Sequence, residues 1–434
     1  MEQQVIPQGY KQTEVGVIPD DWNISTLEEI VKYTNGAAHE DCIVRDGSYV
    51  VVNSKFISTD GGVIKFSDDC RCPANKGDVL MVMSDVPNGR AIAKCYIVDE
   101  NDKYSINQRI CSLEPILINS KYLYYILNRN TFYLQFDDGV KQTNLRRQDV
   151  LDCPLPVPEL KEQTAIATAL SDVDSLIASL DKLIAKKQAI KTATMQQLLT
   201  GKTRLPAFSH YPDGQAKGTK QSDLGEIPED WDVKSYGEVF TFLTTATNSR
   251  ADLTKEGQVG YIHYGDIHTQ WDFHLDVEVA SIPHINSSLV TSASYVENGD
   301  VIMADASEDY DGIGKSIEVK GIKGRPVISG LHTYLLRDKT GVFVDGYKGY
   351  LHAISKVKKT FDRLATGMKV YGISKNNLKE VLLPVPPVAE QGSIAKVLID
   401  MDTEIQTLQQ RLDKTHQLKQ GMMQELLTGK TRLI

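Results

Sequence analysis

An α+β fold is predicted: two mixed α/β domains separated by an antiparallel coiled coil of two long helices, with pseudo-two-fold symmetry. Three observations lead there. The chain repeats itself internally, each copy carries a heptad of apolar residues, and the intervening cores show strand and helix signals in the same order but with different lengths.

The repeat comes first because it fixes the frame. Leu155-Pro156-Val157-Pro158 recurs as Leu383-Pro384-Val385-Pro386, and Leu199-Thr200-Gly201-Lys202-Thr203-Arg204-Leu205 recurs as Leu427-Thr428-Gly429-Lys430-Thr431-Arg432-Leu433, both 228 residues later. The segment between these motifs therefore repeats without insertion or deletion. Nearer the start of each half, Lys11-Gln12 and Gly16-Val17-Ile18-Pro19-Asp20-Asp21-Trp22 match Lys220-Gln221 and Gly225-Glu226-Ile227-Pro228-Glu229-Asp230-Trp231 at an offset of 209. Gly77-Asp78-Val79-Leu80 aligns with Gly299-Asp300-Val301-Ile302 at 222, and Tyr122-Leu123 with Tyr350-Leu351 at 228. Length differences are thus confined to the variable cores, 13 residues before the Gly-Asp-Val turn and 6 after it. Leu205 to Trp231 takes 26 residues, and passing from Leu433 through the chain end and on from Met1 to Trp22 takes 23. Joining the termini would make a nearly symmetric ring, so the two ends are expected to lie close together.

The long helices follow from spacing. Ile166, Leu170, Val173, Ile177, Leu180 and Ile184 alternate steps of four and three, as do Ile394, Leu398, Met401, Ile405, Leu408 and Leu412, which is a coiled-coil seam. Pro158 and Pro387 mark the starts, while Gly201 and Gly429 stand where a helix stops. From Glu162 to Leu199 such a helix would be on the order of 55 Å long. Pairing the two copies within the chain satisfies both seams.

In the first variable core, Ser48 to Val52, Val79 to Met83 and Ile92 to Val98 read as strands, and Ser120 to Phe136 as a helix with an N-cap serine. The second offers strands at Val259 to Tyr264, Val301 to Ala304 and Thr333 to Arg337, then a helix from about Asp345 to Phe361. The expected domains are residues 1–154, a helical region 155–205, a linker and second α/β domain 206–382, and a second helical region 383–434.

Composition excludes several classes. At 434 residues, 41% hydrophobic and 24% charged, the chain is too ordered in composition for disorder and long enough for two or three cores. No run of 18 apolar residues occurs, and the first thirty residues carry Asp20, Asp21, Glu28 and Glu29, so a cytoplasmic protein without membrane association is expected. The 6 cysteines are scattered and the 9 histidines show no ligand spacing, so free thiols and no metal are expected. The net charge of −9 argues against nucleic acid, but binding depends on the field at the groove and a small basic face can sit on an acidic protein.

Taken together, the Leu-Pro-Val-Pro motifs, Glu162-Gln163 and Glu390-Gln391, the Leu-Leu-Thr-Gly-Lys-Thr-Arg-Leu motifs and the Gly-x-Ile-Pro-x-x-Trp entries resemble the specificity (S) subunit of type I restriction-modification systems over nearly the whole chain. Tyr261 to Ile267 resembles a stretch common in such recognition domains. The resemblance implies two target-recognition domains, each reading half of a bipartite DNA site across a gap set by the helical spacer. It also implies no catalysis and no cofactor, and partnership with two methyltransferase (M) subunits and with restriction (R) subunits that consume ATP. The sequence agrees by omission. Pro386-Pro387 is flanked by Val385 and Val388, not by the residues of an adenine methyltransferase pocket. Gln196 and Gln424 stand where a phosphate loop ending in Gly-Lys-Thr needs its first glycine. The alternatives are a coiled-coil scaffold without DNA readout, or a nuclease built on Glu318-Val319-Lys320 with Asp300 or Asp305.

Base pairs are distinguished in the major groove by Arg, Lys, Asn, Gln and His. The candidate DNA contacts, chosen by charge and loop position, are Lys55, Arg90, Arg109, Lys141, Arg146 and Arg147 in the first domain. In the second they are His263, Tyr264, Lys315, Lys369, Tyr371 and Lys375. Lys141 and Lys369 correspond at offset 228 in Gly-x-Lys loops. A lone surface cation is by default a solvated charge. The exposed faces of the long helices are the expected docking surface for M subunits, with Trp22 and Trp231 as anchors or core residues.

Overall fold

The computed structural model describes residues 6–87, 89–290, 292–309, 312–367 and 369–433. It divides into two compact units, one comprising Met1–Lys182 with Gln410–Ile434 and the other Leu183–Gln409. Met368, in the middle of the second Gly-x-Lys loop, lies outside the described residues.

In the first unit an antiparallel sheet runs in the order Cys95–Ile97, Val79–Val82, Ile110–Pro115, Val31–Asn35. Val79–Val82 is buried on both faces, and a strand turns successive side chains to opposite faces. Val79 and Met81 accordingly enter one core with Trp22, Tyr122 and Leu155, while Leu80 and Val82 enter another with Phe56 and Ile106. The second core is roofed by a five-stranded sheet in which Tyr104–Ile106 runs parallel to Tyr49–Val52.

The second unit follows the same plan. Val301–Ala304 lies between Thr333–Asp338 and Ser316–Lys320, antiparallel to both. Val301 and Met303 face one core, and Ile302 and Ala304 another. Val259–Ile262 runs parallel to Val327–Ser329 in a three-stranded sheet. In each unit the Leu-Pro-Val strand closes against the chain entry, Pro154–Val157 on Asn23–Thr26 and Leu382–Val385 on Asp232–Ser235.

Three elements differ from the sequence expectation. The helix expected from Ser120 to Phe136 is two, Ser120–Leu127 and Thr131–Leu134. Asn119, not Ser120, caps the first, and Asn130 caps the second after Arg129 turns through a φ of 60°. The helix expected from Asp345 is a 3-10 segment, Lys348–Ala353, followed by Ser355–Leu364. Its start is captured by the Glu318 carboxylate, which accepts the N–H groups of Gly346 at 2.7 Å and Gly349 at 2.9 Å. The strand expected from Ile92 shrinks to Cys95–Ile97, because Asp85 accepts the N–H groups of Ala91 and Ile92 and holds them in a turn.

The two long helices, Leu160–Leu198 and Val388–Leu426, are each 39 residues. Ile166, Leu170, Leu180 and Ile184 are buried, as are Ile394, Leu398 and Leu412; Val173, Ile177, Met401, Ile405 and Leu408 are half-buried. Gly201 and Gly429 end them at φ 68° and 70°, a conformation open to glycine at little cost.

The repeated motifs converge on one node in each unit. In the first, the Trp22 indole N–H donates to Glu162 at 2.9 Å, and Arg432 bridges Glu162 at 2.6 Å and Asp21 at 2.7 Å. In the second, Trp231 donates to Glu390 at 2.9 Å, and Arg204 bridges Glu390 at 2.6 Å and Asp230 at 2.8 Å. The neighbouring glutamines tie down a loop: Gln163 bonds the Pro158 carbonyl and Asn119 N–H, both at 2.8 Å, and Gln391 bonds the Pro386 carbonyl at 2.8 Å and Val344 N–H at 3.0 Å. A further pair of contacts joins the helices. In the first unit Lys419 meets Asp174 at 2.5 Å, with the Tyr125 hydroxyl on the same carboxylate. In the second Lys191 meets Asp402, which also accepts the Tyr350 hydroxyl.

Candidate functional site

Each unit carries a short two-stranded ribbon beside its central strand. Ser84–Asp85 pairs with Thr143–Asn144 in the first, and Ala306–Ser307 with Tyr371–Gly372 in the second, both antiparallel. Equivalent backbone bonds hang the ribbons on their sheets. Met83 N–H donates to the Arg109 carbonyl at 3.0 Å and the Met83 carbonyl accepts Leu145 N–H at 2.8 Å; Asp305 N–H donates to the His332 carbonyl at 3.1 Å and the Asp305 carbonyl accepts Ile373 N–H at 3.1 Å. The same scaffold position is thus built twice, from unlike side chains.

Around the first ribbon stand Arg90, Arg109, Lys141, Arg146 and Arg147, all exposed. Arg90 lies in the turn organised by Asp85, whose carboxylate accepts the Val86, Ala91 and Ile92 N–H groups. Asp138 accepts the N–H groups of Lys141 and Val140, which holds its own carboxyl below the usual range and shapes the Gly-x-Lys loop. Arg146 forks onto Asp149, which raises the guanidinium further, and Arg147 lies over the Tyr33 ring at 5.4 Å. Two amides missed in the sequence complete the ribbon: Asn144 accepts the Ser84 hydroxyl at 2.6 Å, and Gln142 donates to Ser84 at 2.8 Å.

Around the second ribbon stand Tyr264, Lys369, Tyr371 and Lys375. Lys369 is exposed, and Lys375 opens the helix Lys375–Lys379, with its ammonium 5.2 Å from the Phe242 ring. Tyr371 lines an open pocket of about 360 Å³ with Asp305, His332, Thr366 and Ser374. Tyr264 meets the His332 ring edge-on, with centroids 5.4 Å apart. His332 was not singled out from the sequence, and Asp305 was named there only as a carboxylate of the nuclease alternative. Their partnership joins residues 27 positions apart through a strand pairing, and no local pattern marks it.

Of the other three candidates, one stands apart from the ribbon and two are engaged elsewhere. Lys55 is exposed on the helix Ser54–Ser58, and no described bond links it to the ribbon. His263 is buried as the N-cap of Tyr264–Thr269, with Nδ1 accepting Gly265 N–H at 3.1 Å; burial and the nearby Arg250 push its pKa down. Lys315 bridges Asp272 and the His268 carbonyl, both at 3.2 Å.

Of the carboxylates considered for a nuclease, Glu318 and Asp300 are committed to the fold. Glu318 is buried with its carboxyl pushed up to about 7 by desolvation, against the pull of Lys348 and two backbone N–H groups. Asp300 is clasped by Arg337 at 2.8 Å, and Lys320 turns to Asp276. Gly201-Lys202-Thr203 follows a helix C-terminus, where the backbone dipole disfavours phosphate. Among the described residues no group of three or more His, Cys, Asp and Glu could hold a metal ion, and no helix is long and apolar enough to cross a membrane.

A family model described as "Type I restriction modification DNA specificity domain" matches the chain twice, over residues 19–191 and 228–417. The putative type I restriction enzyme MjaX specificity subunit of Methanocaldococcus jannaschii is 26% identical over 98% of this chain and 97% of its own length. The type I restriction enzyme MjaVIII specificity subunit of the same organism is 24% identical over 96% of this chain and 94% of its own. In fold, the chain is similar to the crystal structure of the S subunit of a type I restriction-modification system from M. genitalium. The TM-score is 0.56 at 15% identity, covering 93% of this chain and 96% of that one.

Proposed function

Given that this chain belongs to the type I restriction-modification DNA specificity family, we propose that each of its α/β domains reads one half of a bipartite DNA site and that the chain itself performs no catalysis. The observation that carries the proposal is the twice-built ribbon: the same backbone bonds hold Arg109 in one unit and His332 in the other, with Arg90 and Lys141 around the first ribbon and Lys369 and Tyr371 around the second. A shared scaffold with unlike exposed side chains is what two specificities need. The basic residues around the first ribbon supply the local positive field that the net charge of −9 conceals.

The two long helices form an antiparallel coiled-coil strut that sets the gap between half-sites. Supporting this, Asp174 of the first helix meets Lys419 of the second in one unit, and Lys191 of the first meets Asp402 of the second in the other. Advancing along one helix means retreating along its partner. The target-recognition domains are residues 1–154 and 206–382, and the helical regions 155–205 and 383–434. Two methyltransferase subunits dock on the exposed helix faces, restriction subunits join them and consume ATP, and the assembly works in the cytoplasm.

The test is a map of methylated positions in DNA exposed to this chain with its methyltransferase partner. A split motif with an unread gap is expected. One contiguous motif, or methylation by the chain alone, would contradict the proposal.

A further inference from the structure

The backbone bonds that define the ribbons give Arg109 a counterpart. Met83 N–H reaches the Arg109 carbonyl as Asp305 N–H reaches that of His332, and each acceptor residue immediately precedes the strand that pairs with the central strand, Ile110–Pro115 or Thr333–Asp338. His332 occupies this post with a φ of 56°, a conformation that side-chain-bearing residues seldom adopt unless their surroundings impose it. Its Nδ1 stands 3.3 Å from the Asp305 carboxylate, and the Tyr264 ring packs against it edge-on. Both histidine and carboxylate line the open pocket of about 360 Å³ beside Tyr371 and Ser374. The imidazole is half exposed, with a relative side-chain accessibility of 51%.

A ring with a carboxylate beside one nitrogen and the Tyr264 ring against it edge-on has its orientation restricted, and with it the direction of its other nitrogen. An exposed polar atom held in one orientation is what distinguishes a base-edge reader from a phosphate contact, which needs only charge. Asp305 serves as the orienting partner: burial pushes its carboxyl up, and the neighbouring His332 draws it back down.

We infer that His332, oriented by Asp305, reads a base edge in the half-site of the second domain, and that Arg109 holds the corresponding post in the first. The inference rests on the DNA-reading function proposed above and adds a residue-level assignment to it.

The experiment exposes a random-sequence duplex library to the full complex of this chain with its methyltransferase partner and sequences the methylated fraction. The variants are His332→Asn, Asp305→Asn and Arg109→Ala. Asparagine adopts left-handed backbone more readily than most residues, so His332→Asn spares the fold. For His332→Asn we expect a loss or change of about ten-fold in discrimination at one base-pair position of one half-site, with the gap and the other half-site unchanged. Asp305→Asn should weaken discrimination at that same position, and Arg109→Ala should act in the opposite half-site. The inference is overturned if His332→Asn and Asp305→Asn leave every position unchanged. It is equally overturned if they lower methylation uniformly without altering preference, or act in the same half-site as Arg109→Ala. A wild-type complex that selects no split site would instead overturn the proposed function itself.

Discussion

At the scale of residues, the repeated motifs become intelligible as parts of one ion-paired node. Glu162 and Glu390 are each 1% exposed, and a carboxylate so placed is tolerated only with full partnership. The tryptophan indole and the arginine fork provide it. Removing one partner of a buried pair strands the other charge, at about 3–5 kcal/mol. Arg204→Ala is therefore expected to lower stability by about 3 kcal/mol in urea unfolding, and Arg432→Ala by less, because Arg432 is 29% exposed against 10% for Arg204. The motifs were legible in the sequence as repeats, but their chemistry was not. Trp22 and Glu162 stand 140 residues apart, and only the fold makes them neighbours. The same holds for His332 and Asp305, whereas Lys141 and Lys369 were visible because charge and a glycine mark them locally. Those two lysines carry a second expectation. If each neutralises one phosphate, Lys141→Ala and Lys369→Ala should each reduce the slope of log affinity against log salt by about 0.9, with the recognised sequence unchanged.

At the scale of elements, legibility followed periodicity. The long helices and the strands Tyr49–Val52, Val79–Val82, Val301–Ala304 and Thr333–Asp338 fall where spacing and β-branched runs put them. Elements whose ends are set by a distant side chain did not. The helix expected at Asp345 yields to Glu318, which collects the N–H groups of Gly346 and Gly349, and the strand expected at Ile92 yields to Asp85. The helix stops were readable from glycine alone, and the structure adds a second reason for them. A Cβ on Gly201 would lie 2.4 Å from Pro228, and one on Gly429 would lie 2.5 Å from Pro19. Gly201→Ala thus meets both a left-handed φ and a collision, and is expected to destabilise by more than about 1 kcal/mol in denaturant unfolding. An alanine at Gly392 or Gly421, where a Cβ would meet nothing within 4 Å, should be neutral or slightly stabilising.

At the scale of the whole molecule, the two units build the same node from different places in the chain. The second unit completes its node with Arg204, which follows the first long helix directly; the first unit takes Arg432 from the far end of the chain. The Tyr10 hydroxyl on the Gly429 carbonyl at 3.1 Å adds to the same closure, and it meets the expectation that the ends lie together. The 228-residue offset was the sequence signature of this arrangement. What the offset could not reveal is which bases each half prefers, since that depends on a few side chains in the variable cores.

The proposed strut makes the most direct test a change of its length. Inserting one matched helical turn of about four residues into the middle of both long helices adds about 6 Å, close to two base pairs of duplex. Mapping the methylated sites of the resulting complex should return both half-sites unaltered, with the gap longer by about two base pairs. An unchanged gap, or a change in the half-sites themselves, would contradict the strut as the element that sets the spacing.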